Sequence, residues 1–318
     1  MSLTALEVFE RTVYGTGQEL IKENVQVFNG SSKGAIVLGT KSILGDFEQS
    51  MDLILGQDLI KSRNPYADNA LTAKGFSRVK DNAVKMGLGM HPIEWTHAEF
   101  NWVKQNPELA GVKIGRAMAD QTTKYMAEVA IGALVTCLNS NNAVKSTIPN
   151  TAKLSHLDLI KAVKPMGDQY NSIELFVMHS SQYFDLVETT FKNAERLFDF
   201  SGITIMRNAL GQTFLITDNK SLVSTQANYV LGLKKNSAFV GYEEDFVSEI
   251  VPITGKENLG KRFQAEWTST LKVANYRYKT TDTMNGLSYG AITTAANWER
   301  ISNNVKDETG VIIANAKA

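Results

Sequence analysis

One cysteine, six prolines and four histidines are all that this 318-residue sequence holds of three residue types that build staples, hinges and catalytic centres. With Cys137 alone, no intrachain disulfide can form, which suits a reducing compartment. Its neighbours, ALVTCLN, read as helix, so Cys137 is expected to be a buried, inert thiol. The scarcity of proline leaves no Pro/Ser-rich linker between two halves. A charge excess is also missing: 33 basic side chains balance 33 acidic ones. That balance gives no support to a bulk electrostatic grip on nucleic acid or an anionic membrane. No apolar run reaches membrane-spanning length. The first residues, MSLTALEVFERTVYG, set Glu7, Glu10 and Arg11 among apolar positions, unlike a signal or transit peptide. Repeats and low-complexity tracts are lacking too. What remains is the composition of a soluble protein, long enough to bury a sizeable core and to form more than one lobe.

What is present divides by texture. Residues 3–27 carry apolar positions at helical spacing, Leu6, Phe9, Val13 and Leu20, with Gly15 and Gly17 as interruptions; this predicts an arm of broken helix. Residues 40–106 form a long polar stretch containing GDFEQ, KSRNPYADN and GLGMHP. It is poorly patterned, and such a stretch is usually a functional loop or an interaction element. A long helix follows, over about 112–139, with Pro107 at its start, where the missing N–H costs nothing. Met118, Thr122, Tyr125, Met126, Val129, Ala133 and Cys137 form its apolar stripe. Ser155 and Asp158 have the spacing of a capping box. SIELFVM reads as a buried strand, SSQYFDLVETTF as a helix with Tyr183, Leu186, Val187 and Thr190 on one face. GITIMRN and QTFLITD read as strands joined at Gly211, and NYVLGL and SAFVGYE as two more. This order predicts a mixed α/β lobe. After 246 the signal is β, with GKRFQAEWTSTLKVANYRYKT long enough for two strands or one bent one.

The stretch FVMHSSQYFDLV puts His179 beside Ser180 and Ser181, with Asp185 just after, and so raises the question of a catalytic serine. It lacks the glycines of a nucleophile elbow. Adjacent His and Ser on an extended chain point to opposite sides, and a serine between a strand and a helix is placed to cap the helix. HPIEWTH brings His91 and His97 near Glu94 and Glu99, but not at the spacing of a structural zinc site; the expectation is two surface histidines flanking Trp95. His156 completes the histidines. Gly-Lys in ITGKEN and LGKRF lacks the spaced glycine of a phosphate loop. Asp168, Asp185 and Asp218 read as scattered carboxylates at turns and caps. No catalytic, cofactor or metal residue is assigned.

Four stretches carry a resemblance: NVQVFNGSSKGAIVL with LGDF; the long helix followed by Lys153 to Gly167 and Asp168; FVMHSSQYFDLV with RLFDFSGITIMRNALGQTFLITDN; and GAITTAANWERISNNVKDETGVII. In this order the chain resembles the major capsid proteins of tailed bacteriophages, in particular the major capsid protein 13-like group. The resemblance implies an α+β protein with the Hong Kong 97-type capsid fold. Its parts would be an N-terminal arm over 1–35, an extended loop and the start of a peripheral domain over 36–106, and a spine helix over 107–150. An axial domain over 151–245 and a return to the peripheral domain over 246–318, closed by ANWERI and ETGVII, would complete it.

The implied function is a shell subunit that self-assembles into pentamers and hexamers around viral double-stranded DNA, without enzymatic activity or cofactor. The implied partners are other copies of itself, a portal protein, a separate scaffolding protein (the arm being too short for a large built-in one), a decoration protein, and DNA contacted without sequence preference. No membrane is involved, and the location would be the virion, assembled in the bacterial cytoplasm. The alternatives are an encapsulin-like nanocompartment shell and a cytosolic hydrolase built on His179 and a serine.

Overall fold

Thr4 starts the first helix. Its hydroxyl accepts from the Glu7 amide while the Glu7 carboxylate accepts from the Thr4 amide at 2.7 Å, a reciprocal cap that fixes the helix start. The computed structural model describes residues 4–40, 47–55, 65–66, 70, 76–150, 152–189, 195–200, 203–207, 213–243, 245–279 and 287–317. Parts of the stretch expected to hold the extended loop, 41–46, 56–64, 67–69 and 71–75, as well as Thr190 and Gly211, lie outside the described residues.

The chain runs α1 (Ala5–Ser31), β1 (Ile36–Thr40), β2 (Phe47–Leu55), β3 (Phe76–Gly89), β4 (Ile93–Thr96), α2 (His97–Gln105) and α3 (Pro107–Asn139). The middle is β5 (Lys145–Ile148), α4 (His156–Val163), β6 (Ile173–Met178), α5 (Ser180–Thr189), β7 (Glu195–Phe200), β8 (Ile203–Arg207), β9 (Thr213–Thr217), β10 (Ala227–Lys234) and β11 (Ala238–Tyr242). It ends with β12 (Val247–Ile253), β13 (Gly260–Val273), β14 (Tyr276–Tyr278), α6 (Tyr289–Ile292), β15 (Trp298–Arg300) and β16 (Gly310–Ala316).

The expected broken arm is instead one continuous helix of 27 residues. Gly17 does not interrupt it. A Cβ there would lie 2.4 Å from Met118 of α3, and one on Gly115 of α3 would lie 2.8 Å from the Val13 carbonyl. The glycines are sites of close helix–helix approach, and the packing this permits offsets their weak helix propensity. Phe9 stands edge-on to Trp95 and Phe263, which ties the start of α1 to β4 and β13. The first half of α3 shows one buried stripe through Ala110, Gly115, Met118 and Thr122; from Val129 to Leu138 nearly every side chain is buried. Gly111 and Gly115 in the early turns meet α1, and α3 also contacts strands of both sheets described next.

Two sheets form. A nine-stranded one is organised on β13. Its residues Phe263, Ala265, Trp267, Ser269, Leu271 and Val273 point inward at period two, as a half-buried strand requires. The chain then reverses at Ala274 and Asn275, the latter at φ 62°, so that Val273 pairs with Tyr276; the expected "two strands or one bent one" is one long strand and a short return. β2 and β3 pair from Phe47↔Val84 to Leu55↔Phe76, and β3 joins β13 only from Val84 onward. A two-stranded ribbon therefore leaves the sheet. The buried Glu243 carboxylate braces its base, accepting from Thr268 and Thr270 and pairing with Lys85 of β3 at 2.7 Å.

The seven-stranded sheet has the order β5-β16-β10-β6-β9-β8-β7. Sheet membership crosses the boundary expected at 245: β10 belongs to this sheet, β11 to the other, and β16, expected to close the peripheral part, pairs with β10 and β5. Local periodicity fixes that a segment is a strand but not which partner it finds.

Candidate functional site

β6 delivers Met178 to its end, and α5 begins at Ser180. His179, between them, takes the capping position expected of a serine. Its carbonyl accepts from the amides of Gln182 and Tyr183 at 3.0 and 3.1 Å. Its ring Nδ1 accepts the Ser181 amide at 3.2 Å and lies 3.0 Å from the Ser181 hydroxyl. The imidazole here reaches its own i+2 amide as an Asx side chain does, and residues two apart share a side of the chain, unlike neighbours. The serines are therefore not the cap.

Asp218 is not scattered either. It follows β9, which runs parallel to β6 with Met178 opposite Ile216. The two strand ends bring the Asp218 carboxylate within 2.5 Å of the Ser180 hydroxyl, which donates to it, and 3.5 Å from His179 Nε2. A Ser-His-Asp constellation thus forms at the C-terminal end of parallel strands, where α/β sheets hold ligands. No sequence signal joins residues 38 apart; only the strand pairing does.

Its chemistry is limited by its connections. The Ser180 hydroxyl meets a carboxylate, a far weaker base than imidazole, and the Ser181 hydroxyl shares Nδ1 with its own amide. Asp218 is 74% exposed, so the group stands in water and lacks the desolvation that strengthens catalytic electrostatics.

The other expected residues are dispersed. Asp185 accepts from Gln182 within α5, and Asp168 pairs with Lys306 at 2.6 Å, a contact that holds its carboxyl below the usual range. His91 and His97 are exposed on either side of Trp95. Glu94 is engaged by Lys256 and Arg262, and Glu99 caps α2 through Thr96; these contacts hold both carboxyls below the usual range. Burial lowers the His156 imidazole. Among the described residues, no group of three His, Cys, Asp or Glu could hold a metal. Cys137 is fully buried, and burial pushes its thiol up.

One buried polar cluster went unforeseen. Glu308, just before β16, accepts from Asn141 at 2.7 Å and pairs with Arg300 at 3.0 Å, with Tyr276 and Asn275 close by. It joins the turn after α3, the paired strands β14 and β15 and the start of β16, and burial raises its carboxyl above the ordinary value. Neither a short motif nor periodicity marks such a residue.

Among the described residues no reactive centre stands in a water-excluded setting, and the fold itself carries the identity. The family described as major capsid protein 13-like matches residues 5–312. The chain belongs to that family. Solved structures place this capsid protein in the same fold at low identity. A chain of Mycobacterium phage Adephagia superposes with a TM-score of 0.51 at 10% identity, covering 91% of this chain and 90% of that one. A chain of Microbacterium phage Oxtober96 gives 0.50 at 13%, covering 89% and 90%. One from the capsid of Ralstonia phage GP4 gives 0.50 at 10%, covering 89% and 87%. No curated protein matches. The fold is the Hong Kong 97-type capsid fold, and the protein is a shell subunit of a tailed bacteriophage. Among the described residues, no helix is long and apolar enough to cross a membrane.

Proposed function

We propose that this subunit assembles as pentamers and hexamers into an icosahedral head around double-stranded DNA, works without catalysis, and resides in the virion after assembly in the host cytoplasm. The observation that supports this best is the family match over almost the entire chain. In this reading α3 is the spine helix, the seven-stranded sheet with α4 and α5 is the core of the axial domain, and the nine-stranded sheet belongs to the peripheral domain. The β2–β3 ribbon is the extended loop that reaches a neighbouring copy. His179, Ser180, Ser181 and Asp218 brace two strand ends. The partners are a portal protein, a separate scaffolding protein, a decoration protein and non-specifically held DNA. Negative-stain microscopy of the expressed protein, with and without the scaffolding protein of the same virus, tests the assembly. Closed shells of one size with the scaffold, and irregular ones without it, are expected. Shells of normal size and yield from the chain alone would remove the scaffold from the scheme, and a monomer under both conditions would remove the shell.

A further inference from the structure

The outward faces of α4 and α5 are built alike, with opposite charge. On α4 and the turn after it, Leu157, Ile160, Lys161 and Lys164 fall at i, i+3, i+4 and i+7, one helical face. Leu157 is 58% exposed and Ile160 64%. On α5, Phe184, Val187 and Glu188 share a face at i, i+3 and i+4, and Phe184 is 67% exposed. The Phe184 ring has the Tyr183 ring beside it, centroids 6.3 Å apart, and still keeps most of its surface exposed. Helix faces with this much exposed aliphatic and aromatic surface mark interaction sites.

The α4 face is concave. Ile160, Lys161, Lys164, Tyr170, Ile173 and Phe176 line a cavity of about 760 Å³ between α4, the turn Lys164–Ser172 and β6, ample for a phenyl ring with a valine beside it. The α5 face is a ridge. The groove carries two lysines at its rim and the ridge a carboxylate. Within the chain Lys161 pairs with Asp158, whose side chain is 16% exposed, and Glu188 with the exposed Lys153; an exposed pair such as Glu188–Lys153 exchanges readily.

We propose that the occupant of this groove is a second copy of the chain, its Phe184–Val187 ridge seated against Ile160 and Tyr170 and its Glu188 beside Lys164. Charge complementarity between two apolar faces selects this partner, because ridge against ridge or groove against groove would set like charges together. A ridge on one copy and a groove on the next make a head-to-tail contact, which propagates around a ring. The proposal rests on the shell reading and names the surfaces that build its rings.

Thiol crosslinking of particles assembled from the full-length I160C/F184C chain tests it, using a short bismaleimide. Cys137 is buried, and each single variant serves as a control. A ladder of covalent oligomers beyond the dimer, absent from both single variants, is expected. Dimers alone, or monomers in intact shells, would overturn the proposed contact and leave the shell reading standing. Crosslinked rings without shells would support the contact and count against the shell. Charge reversal gives a second reading that does not depend on thiol geometry. K164E and E188K are each expected to slow assembly by about tenfold, and the two together in one chain to restore it. A double variant no better than either single, with unchanged melting of the free subunit, would also overturn the proposal.

Discussion

His179 shows how far a single side chain can be misread when its partners are distant in sequence. Read locally, the serines cap α5; in the fold the imidazole does so, and Ser180 turns to Asp218 across a strand pair. Replacing His179 with alanine should therefore cost about 1 kcal/mol, the value of a lost helix cap, read as a lower denaturation midpoint. Wild-type protein should hydrolyse no generic ester above background. Turnover that disappears in Ser181→Ala would reinstate the hydrolase reading.

Glu308 makes a second argument at this scale. Burial outweighs Tyr276, Arg300, Asn275 and Asn141, so its carboxyl keeps a proton to higher pH than the ordinary 4.5. The folded state then binds more protons than the unfolded chain just above that value, and stability falls as pH rises through the window. Glu308→Gln keeps hydrogen-bonding capacity and removes the titration. Thermal melts between about pH 4 and 7 should therefore slope downward less in the variant than in the wild type. Equal slopes would show that Glu308 does not govern this dependence.

At the scale of elements, the α1–α3 pair is the most exacting contact. Gly111 and Gly115 of α3 leave no room: a Cβ on Gly111 would stand 2.7 Å from the Thr12 side chain, and one on Gly115 would press on backbone. Gly115→Val should cost about 1–3 kcal/mol by overpacking, whereas Gly15→Ala, where nothing lies within 4 Å, should stabilise α1 slightly. Melting temperatures of the two variants decide it. The β2–β3 ribbon is the opposite case. Beyond Val84 it has no third strand among the described residues, and an isolated two-stranded ribbon is marginal in water. Its amides should exchange quickly in the free subunit and slowly in assembled shells; equally fast exchange in both would mean that no neighbour covers it.

Across the whole molecule, the resemblance carried by four stretches agrees with the family match, and zero net charge suits many copies packed side by side. Elements with a strong local signature were legible in advance: α3 from its stripe, α4 from Ser155 and Asp158, and β6 as a buried apolar run. Local hydrogen bonds and the periodicity of burial act over a few residues, and sequence encodes them directly. The tertiary structure alone decided what depends on distant pairing. It made α1 continuous by seating Gly17 on α3, divided β10 and β11 between two sheets, gathered His179 and Asp218 at neighbouring strand ends, and buried Glu308 among the side chains of four other residues. The physical reason is common to all four: each gains its free energy from a partner far along the chain, and the one-dimensional pattern around a residue carries no record of that partner's position.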